Sequence, residues 1–212
     1  MVCLACGRWG RSTLCPACGR SLSPAPDLRL PGGLLVRSAY LHSGAARVLV
    51  HRLKYQGLLA AALPLARAMA ERVPEEVRLL VPVPRARLRA WRYGVDQASA
   101  LAAALAAELG LPVRRPLHPP WWAHPHAGRP RQERPPSHFT RSEGTERGIA
   151  LVDDVVTTGT TLRGAEGALR GSVIVAVTAT AARVPGTRVS AGAGTDASPS
   201  SRQERPVERS PP

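Results

Sequence analysis

The chain has 212 residues, with 29 basic side chains against 15 acidic ones, a formal charge of +14. A hydrophobic fraction of 44% is ordinary for a folded protein and excludes collagen-like, coiled-coil and wholly disordered classes. No apolar run approaches the ~20 residues of a membrane helix, and Met1–Cys6 lacks the basic start and long apolar stretch of a signal peptide, so the expected location is the cytoplasm, with no membrane insertion. The basicity itself is a weak argument for nucleic acid. All but one of the basic residues are arginine, Lys54 is the single lysine, and asparagine is absent, which is the signature of a GC-rich coding bias.

Residues 1–20 hold all four cysteines and form the first unit, and residues 21–33 read as a Pro-rich linker. The body spans residues 34–184. Within it, Ala45–Tyr55 has helical apolar spacing, and Leu58–Arg72 reads as a second helix with Pro64 kinking it or lying in its first turn. Val77–Val83 reads as a buried strand. Asp96–Leu109 is the clearest helix, capped by Asp96 and ended by Gly110 and Pro112. Residues 116–147 carry many prolines, His118, His124, His126 and the pair Trp121-Trp122, and read as a long mobile loop. Gly148–Val152 is expected as a strand, Thr160–Arg170 as a helix and Val173–Ala179 as a buried strand. Fully apolar strands alternating with helices imply an α/β fold with a parallel sheet covered on both faces. Residues 185–212 have almost no large apolar side chains and are expected to be disordered. They hold four arginines and three acids, so +13 remains on the folded part.

Cys3-x2-Cys6 and Cys15-x2-Cys18 form a doubled CxxC pattern. Thiolates two residues apart bind one metal from a single turn, and four soft ligands favour tetrahedral, structural zinc with no open position for catalysis. Gly7 and Gly19, each directly after a pair, are expected to turn the backbone. Disulfides are disfavoured by a cytosolic setting. Arg8, Trp9, Arg11 and Arg20 on this unit could touch nucleic acid, although a clip that organises the N-terminus is the commoner outcome.

The most informative stretch is Ile149–Thr161, IALVDDVVTTGTT. It is a buried strand, two acids at its carboxyl end, then a hydroxyl-rich turn entering a helix. Ligands of open parallel sheets bind at that end. A helix N-terminus is a ready anion site, and Thr157, Thr158, Thr160 and Thr161 add hydroxyls while Gly159 permits close backbone approach. Asp153 and Asp154 would repel a phosphate and suit the hydroxyls of a ribose. The ligand so described is a ribose 5-phosphate.

This stretch resembles the phosphoribosyl-pyrophosphate (PRPP) motif of type I phosphoribosyltransferases (PRTases). The resemblance implies that Asp153 and Asp154 hold the ribose hydroxyls and that Val156, Thr157, Thr158, Gly159, Thr160 and Thr161 wrap the 5-phosphate. Two further segments are similar to the ComF family (competence protein F and its relatives): Arg52–Gly57, RLKYQG, and Val81–Gln97, VPVPRARLRAWRYGVDQ. In the second, Tyr93 is inserted and Asp96 replaces asparagine relative to the family pattern. An N-terminal four-cysteine zinc element belongs to the same pattern, so the resemblance covers residues 1–20 and 40–183. It implies a type I PRTase fold preceded by a zinc ribbon. The loop after Val81–Pro84 offers Arg85 and Arg92 to a pyrophosphate, guanidinium forks being suited to phosphate oxygens. Lys54 could serve the same group as a point charge, and Gln97 is ranked above Asp96 as a site residue because capping alone explains Asp96.

Two functions follow as expectations. One is an enzyme that transfers phosphoribose from Mg-PRPP to an unidentified nitrogen nucleophile, Mg²⁺ arriving with PRPP; no dedicated general base is legible, so no catalytic residue is assigned. The other is a non-catalytic module on a PRTase scaffold that binds single-stranded DNA or protein. The ComF resemblance implies a link to natural transformation, with a DNA-uptake helicase and recombination proteins as partners. Trp121 and Trp122 could stack a base or single-stranded DNA, and His118, His124 and His126 could form a second metal site, but a Pro-rich lid packed on the core is the commoner outcome.

Overall fold

The computed structural model describes residues 1–84, 96–119, 139–142, 147–169 and 171–182. Arg85, Arg92, His124, His126, Trp121, Trp122 and the expected disordered tail lie outside the described residues. Among the described residues, five strands form one sheet in the order β1 (Leu28–Arg29), β2 (Leu35–Leu41), β7 (Val173–Ala181), β6 (Ile149–Val156) and β3 (Leu79–Pro82). All pairings are parallel except β1 with β2. Residues 112–114 run along the outer edge of β3. There Leu80 donates its amide to the Pro112 carbonyl and accepts from the Arg114 amide.

Both faces of this sheet are covered, as near-continuous apolar strands require. On one face Ala150, Val152, Val175 and Val177 pack with α2 (Gly44–Tyr55), α3 (Ala62–Ala70) and α4 (Gln97–Leu109). On the other, Ile149, Leu151 and Ala176 pack with α5 (Thr160–Leu169) through Leu162, Ala165 and Leu169. The alternation of side chains along β6 splits the two cores. Helix α2 buries Ala45, Ala46, Leu49, Val50 and Leu53 on one stripe, and α4 buries Ala98, Leu101, Ala102 and Leu105. Gly110 ends α4 in the left-handed region at φ 67°, as a C-cap glycine does. A 3₁₀ turn, Leu59–Ala61, precedes α3, and Pro64 occupies the first turn of α3, where its missing N–H costs nothing.

Several features differ from the sequence expectation. Strand β2 was hidden, because Arg37 and Ser38 interrupt its apolar pattern; Ser38 is satisfied by Thr178 across the β2–β7 pair at 2.7 Å, and Arg37 pairs with Asp27 at 3.3 Å. Strand β6 runs four residues past Val152 because β7 offers it a partner as far as Ala181. Residues 21–33 are more than a linker: β1 pairs with β2, and Asp27 bridges Arg37 and Arg72. The ends of the 116–147 segment are clasped as an antiparallel ribbon, β4 (Leu117–His118) with β5 (Thr140–Arg141), and His118 Nε2 lies 2.9 Å from Ser142 Oγ.

The cysteine unit is joined to the main core rather than standing apart. Cys3 and Ala5 are buried in the cluster that contains α2, α3 and α4. A short helix α1 (Pro16–Arg20) follows Cys15, and Ser21 directly after it accepts the Ala45 amide through its hydroxyl at 3.1 Å, capping α2 from outside. Gly44 lies beneath Ser21 with φ +50°, and a Cβ there would come within 2.4 Å of the Ser21 carbonyl oxygen. Replacing Gly44 by alanine therefore adds both a strained backbone and a collision. Gly44→Ala is expected to cost about 2 kcal/mol and Ser21→Ala about 1 kcal/mol, each read as a shift in the urea midpoint at unchanged slope.

Candidate functional site

The chain leaves β3 and β6 in opposite lateral directions. After β3 it passes through α4 to residues 112–114 on the outer edge; after β6 it passes through α5 to β7 on the inner side. Strand order thus reverses between β3 and β6, and open α/β sheets bind ligands in the crevice beyond the carboxyl ends of such a pair. The turn after β6 is the Thr/Gly sequence, and the segment after β3 is the Val-Pro run that leads to Arg85 and Arg92.

A shallow cup open to solvent is lined by Asp153 and by Val155 through Leu162. The first hydrogen bond of α5 runs from the Arg163 amide to the Gly159 carbonyl at 2.9 Å, so the amides of Thr160, Thr161 and Leu162 precede the helical ladder and lie at its positive end. Thr158 and Thr160 hydroxyls are 3.1 Å apart. Gly159 is buried at φ +72°, a conformation that favours glycine. Val156 is buried, with its side chain in the core under the loop. This arrangement can bind a small anion by backbone amides, hydroxyls and helix polarity together.

The two acids differ in environment. Both lie within β6, so their side chains leave on opposite faces. Asp153 is half-buried and lines the cup; its Oδ1 accepts the Asp154 amide at 2.8 Å. Asp154 is buried and accepts the Val155 amide at 3.0 Å.

Helix α2 packs on one face of the sheet and is fastened at both ends. At its start the His42 amide donates to the Ala181 carbonyl at 2.7 Å, at the end of β7. At its finish Gln97 Nε2, at the head of α4, donates to the Lys54 carbonyl at 3.5 Å. Lys54 thus lies at the end of α2 beside the head of α4, with its ammonium 5.5 Å from the Tyr55 ring centre. Gln97 is fully buried and holds this helix end by its contact with the Lys54 backbone. Asp96 does not cap α4 through its side chain; it accepts a hydrogen bond from the Ser99 hydroxyl instead, at 2.6 Å.

His42 was not legible as a site residue. Its Nδ1 lies 2.9 Å from the Thr180 hydroxyl, which in turn donates to the Asp154 carbonyl at 3.3 Å. Burial lowers its pKa, Arg47 and Lys54 lower it further, and Asp154 opposes them. Only the folded position of the ring brings these groups together from β6 and α2, so no local sequence signal marks it.

The four cysteine sulfurs all lie within 4.8 Å of one another, placed to hold a metal ion. Cys6 and Cys15 sulfurs are 3.7 Å apart, too far for a disulfide, and all four cysteines are free. The Cys15 amide donates to Cys3 Sγ at 3.3 Å. Gly7 turns the first loop at φ +77°, as expected, whereas Gly19 lies inside α1. Burial opposes ionisation of Cys3, but hydrogen bonds from the backbone of Cys6, Cys15 and Ala5 outweigh it and bring the thiol down to about 6. Burial and the neighbouring thiols push Cys18 up to about 12. Four such sulfurs cannot all ionise without a cation among them. Among the described residues no helix is long and apolar enough to cross a membrane.

Comparison with known protein families finds no matching family model, and no curated protein matches the chain.

The His42 environment yields a signed pH expectation. A histidine with a lowered folded pKa binds fewer protons folded than unfolded, so its contribution is present above the ordinary value of 6.5 and is lost as pH falls through the folded value. The imidazole proton resonances of His42 are expected to titrate below 6.5. Arg47→Ala should raise that midpoint and Asp154→Asn should lower it. A midpoint at or above 6.5 would contradict the assigned environment.

Proposed function

We propose that this chain is a ComF-type protein with a type I PRTase fold that binds PRPP or ribose 5-phosphate and acts as a phosphoribosyltransferase. The observation that carries the reading is the Thr/Gly turn forming an anion cup at the carboxyl end of β6, beside the reversal of strand order, with Asp153 on its wall. The 5-phosphate takes the amides and hydroxyls of Thr157 to Thr161. The carboxylate of Asp153 takes a ribose hydroxyl, while Asp154, buried on the opposite face of β6, accepts the Val155 amide instead of lining the cup. Lys54, Arg85 and Arg92 serve the pyrophosphate, and Gln97 contributes by holding the α2 end that bears Lys54.

In the reaction the bond from ribose C1 to the diphosphate oxygen breaks, and the diphosphate leaves with the electron pair. A nitrogen nucleophile forms the new bond to C1 and loses its proton to solvent. The chain supplies position and electrostatic stabilisation of the separating charges. Mg²⁺ enters with PRPP and balances the diphosphate charge.

The cysteine cluster is read as a structural zinc site of ribbon type. A tetrahedral ion with zinc–sulfur bonds of about 2.3 Å needs sulfurs about 3.8 Å apart, which the 3.7 Å separation of Cys6 and Cys15 matches. Zinc would let Cys3, Cys6, Cys15 and Cys18 all remain thiolates, and it supplies cohesion rather than chemistry.

A second reading, a non-catalytic module for single-stranded DNA in natural transformation, is favoured by one observation. Trp9 is 85% exposed on the cysteine unit, near Arg8, Arg11 and Arg20 in the sequence, a stacking face with cations of the kind that binds single strands.

Calorimetry with Mg-PRPP and with ribose 5-phosphate separates these readings. Binding that is lost at least tenfold in Asp153→Ala, with pyrophosphate release on adding a nucleobase, supports the transferase. Salt-sensitive oligonucleotide binding without turnover supports the second. Failure to bind either phosphoribose ligand overturns the central claim. For the metal, one zinc per chain is expected by elemental analysis, and Cys3→Ser should abolish stoichiometric zinc and lower the melting temperature, because Cys3 is buried in the main core.

A further inference from the structure

We propose that Leu30 is a positioning residue of the anion cup, a floor that presses on Gly159 and sets the shape of the loop that receives a phosphate monoester. The inference rests on the reading of that loop as a phosphate site.

The contact is tight. A Cβ built on Gly159 would lie 2.4 Å and 2.5 Å from the two Leu30 δ-carbons and 3.0 Å from its Cγ. Real Cβ contacts do not come that close, so the backbone of the turn is seated directly on the leucine side chain. The Gly159 position is thus constrained twice, by φ +72° and by the lack of space. Leu30 is itself buried, in the same apolar cluster as Val156, Leu162 and Ala165, which flank the loop.

Leu30 is also held firmly from behind. Its amide donates to the Leu34 carbonyl at 3.0 Å, and its carbonyl accepts from the Gly33 amide at 2.9 Å. Just before it, β1 pairs with β2. Asp27 bonds Arg37 of β2 at 3.3 Å and also bonds Arg72, beyond α3. The arm is therefore fixed to the sheet on one side and to the helical layer on the other. An anchored apolar side chain under a left-handed glycine keeps the following amides, Thr160 to Leu162, aimed into the cup without reorganisation when an anion arrives. Such preorganisation is what makes a backbone anion site effective. The segment that reads as a linker thereby becomes part of the binding apparatus.

Leu30→Ala and Leu34→Ala remove the same atoms from the same buried arm, and only the first removes the floor under Gly159. Ribose 5-phosphate affinity by calorimetry, at a temperature where both variants remain folded, should fall at least fivefold in Leu30→Ala and less than twofold in Leu34→Ala. The amide resonances of Thr157 to Thr161 should move in the ligand-free Leu30→Ala protein and remain in place in Leu34→Ala. Equal affinity in Leu30→Ala and the parent protein, or equal losses in both variants, would overturn the proposal. A second measurement needs no ligand. Gly159→Ala should lower the urea midpoint, and by a smaller amount in the Leu30→Ala background, where the space has been opened. Additive losses would overturn the contact itself. If the parent protein binds no ribose 5-phosphate, the phosphate reading fails, while this stability cycle still decides whether Leu30 shapes the turn.

Discussion

The parallel pairing of β3 with β6 is the constraint on which the rest of the structure depends. Parallel strands cannot be joined by a tight turn, so the chain must leave each by a crossover. Here the two crossovers leave in opposite directions. The pairing is held by backbone bonds such as the Val83 amide to the Val152 carbonyl at 2.9 Å. Packing on both faces by separate apolar clusters prevents either strand from slipping, since a shift by one residue would exchange the two cores.

A second layer of organisation is built on α2. This helix packs on one face of the sheet, and its two ends are fastened to different parts of the chain. The head is capped by Ser21 at the close of the cysteine unit, and the tail is held by Gln97 at the head of α4. The cysteine unit is thus mechanically continuous with the helix that carries Lys54. Burial of Cys3 and Ala5 in the same cluster as Leu49 and Leu53 makes the connection apolar as well as polar. A metal held by the four cysteines would stabilise this face of the sheet without taking part in chemistry there.

Several buried polar groups of the sheet meet partners far away in sequence. Ser38 meets Thr178, and His42 meets Thr180, which meets the Asp154 carbonyl. Low local dielectric makes such groups costly when unpaired and specific when paired. The Ser38–Thr178 bond, together with the Arg37–Asp27 pair, lets β2 include serine and arginine in its middle and still pair with β7.

Much of this architecture was legible in the residues alone, because it depends on local rules. Helical spacing marked α2, α4 and α5, apolar runs marked β3, β6 and β7, and the doubled CxxC marked the four sulfurs that the fold brings within 4.8 Å of one another. The Thr/Gly turn was also legible, since its chemistry lies in consecutive residues. What only tertiary structure decided were relations between distant segments. The reversal of strand order, the fastening of α2 by Ser21 and Gln97 and the seat of Gly159 on Leu30 all require contacts between residues that no sequence period connects. Periodicity reports which face of an element is apolar, but it carries no information on which other element that face will meet.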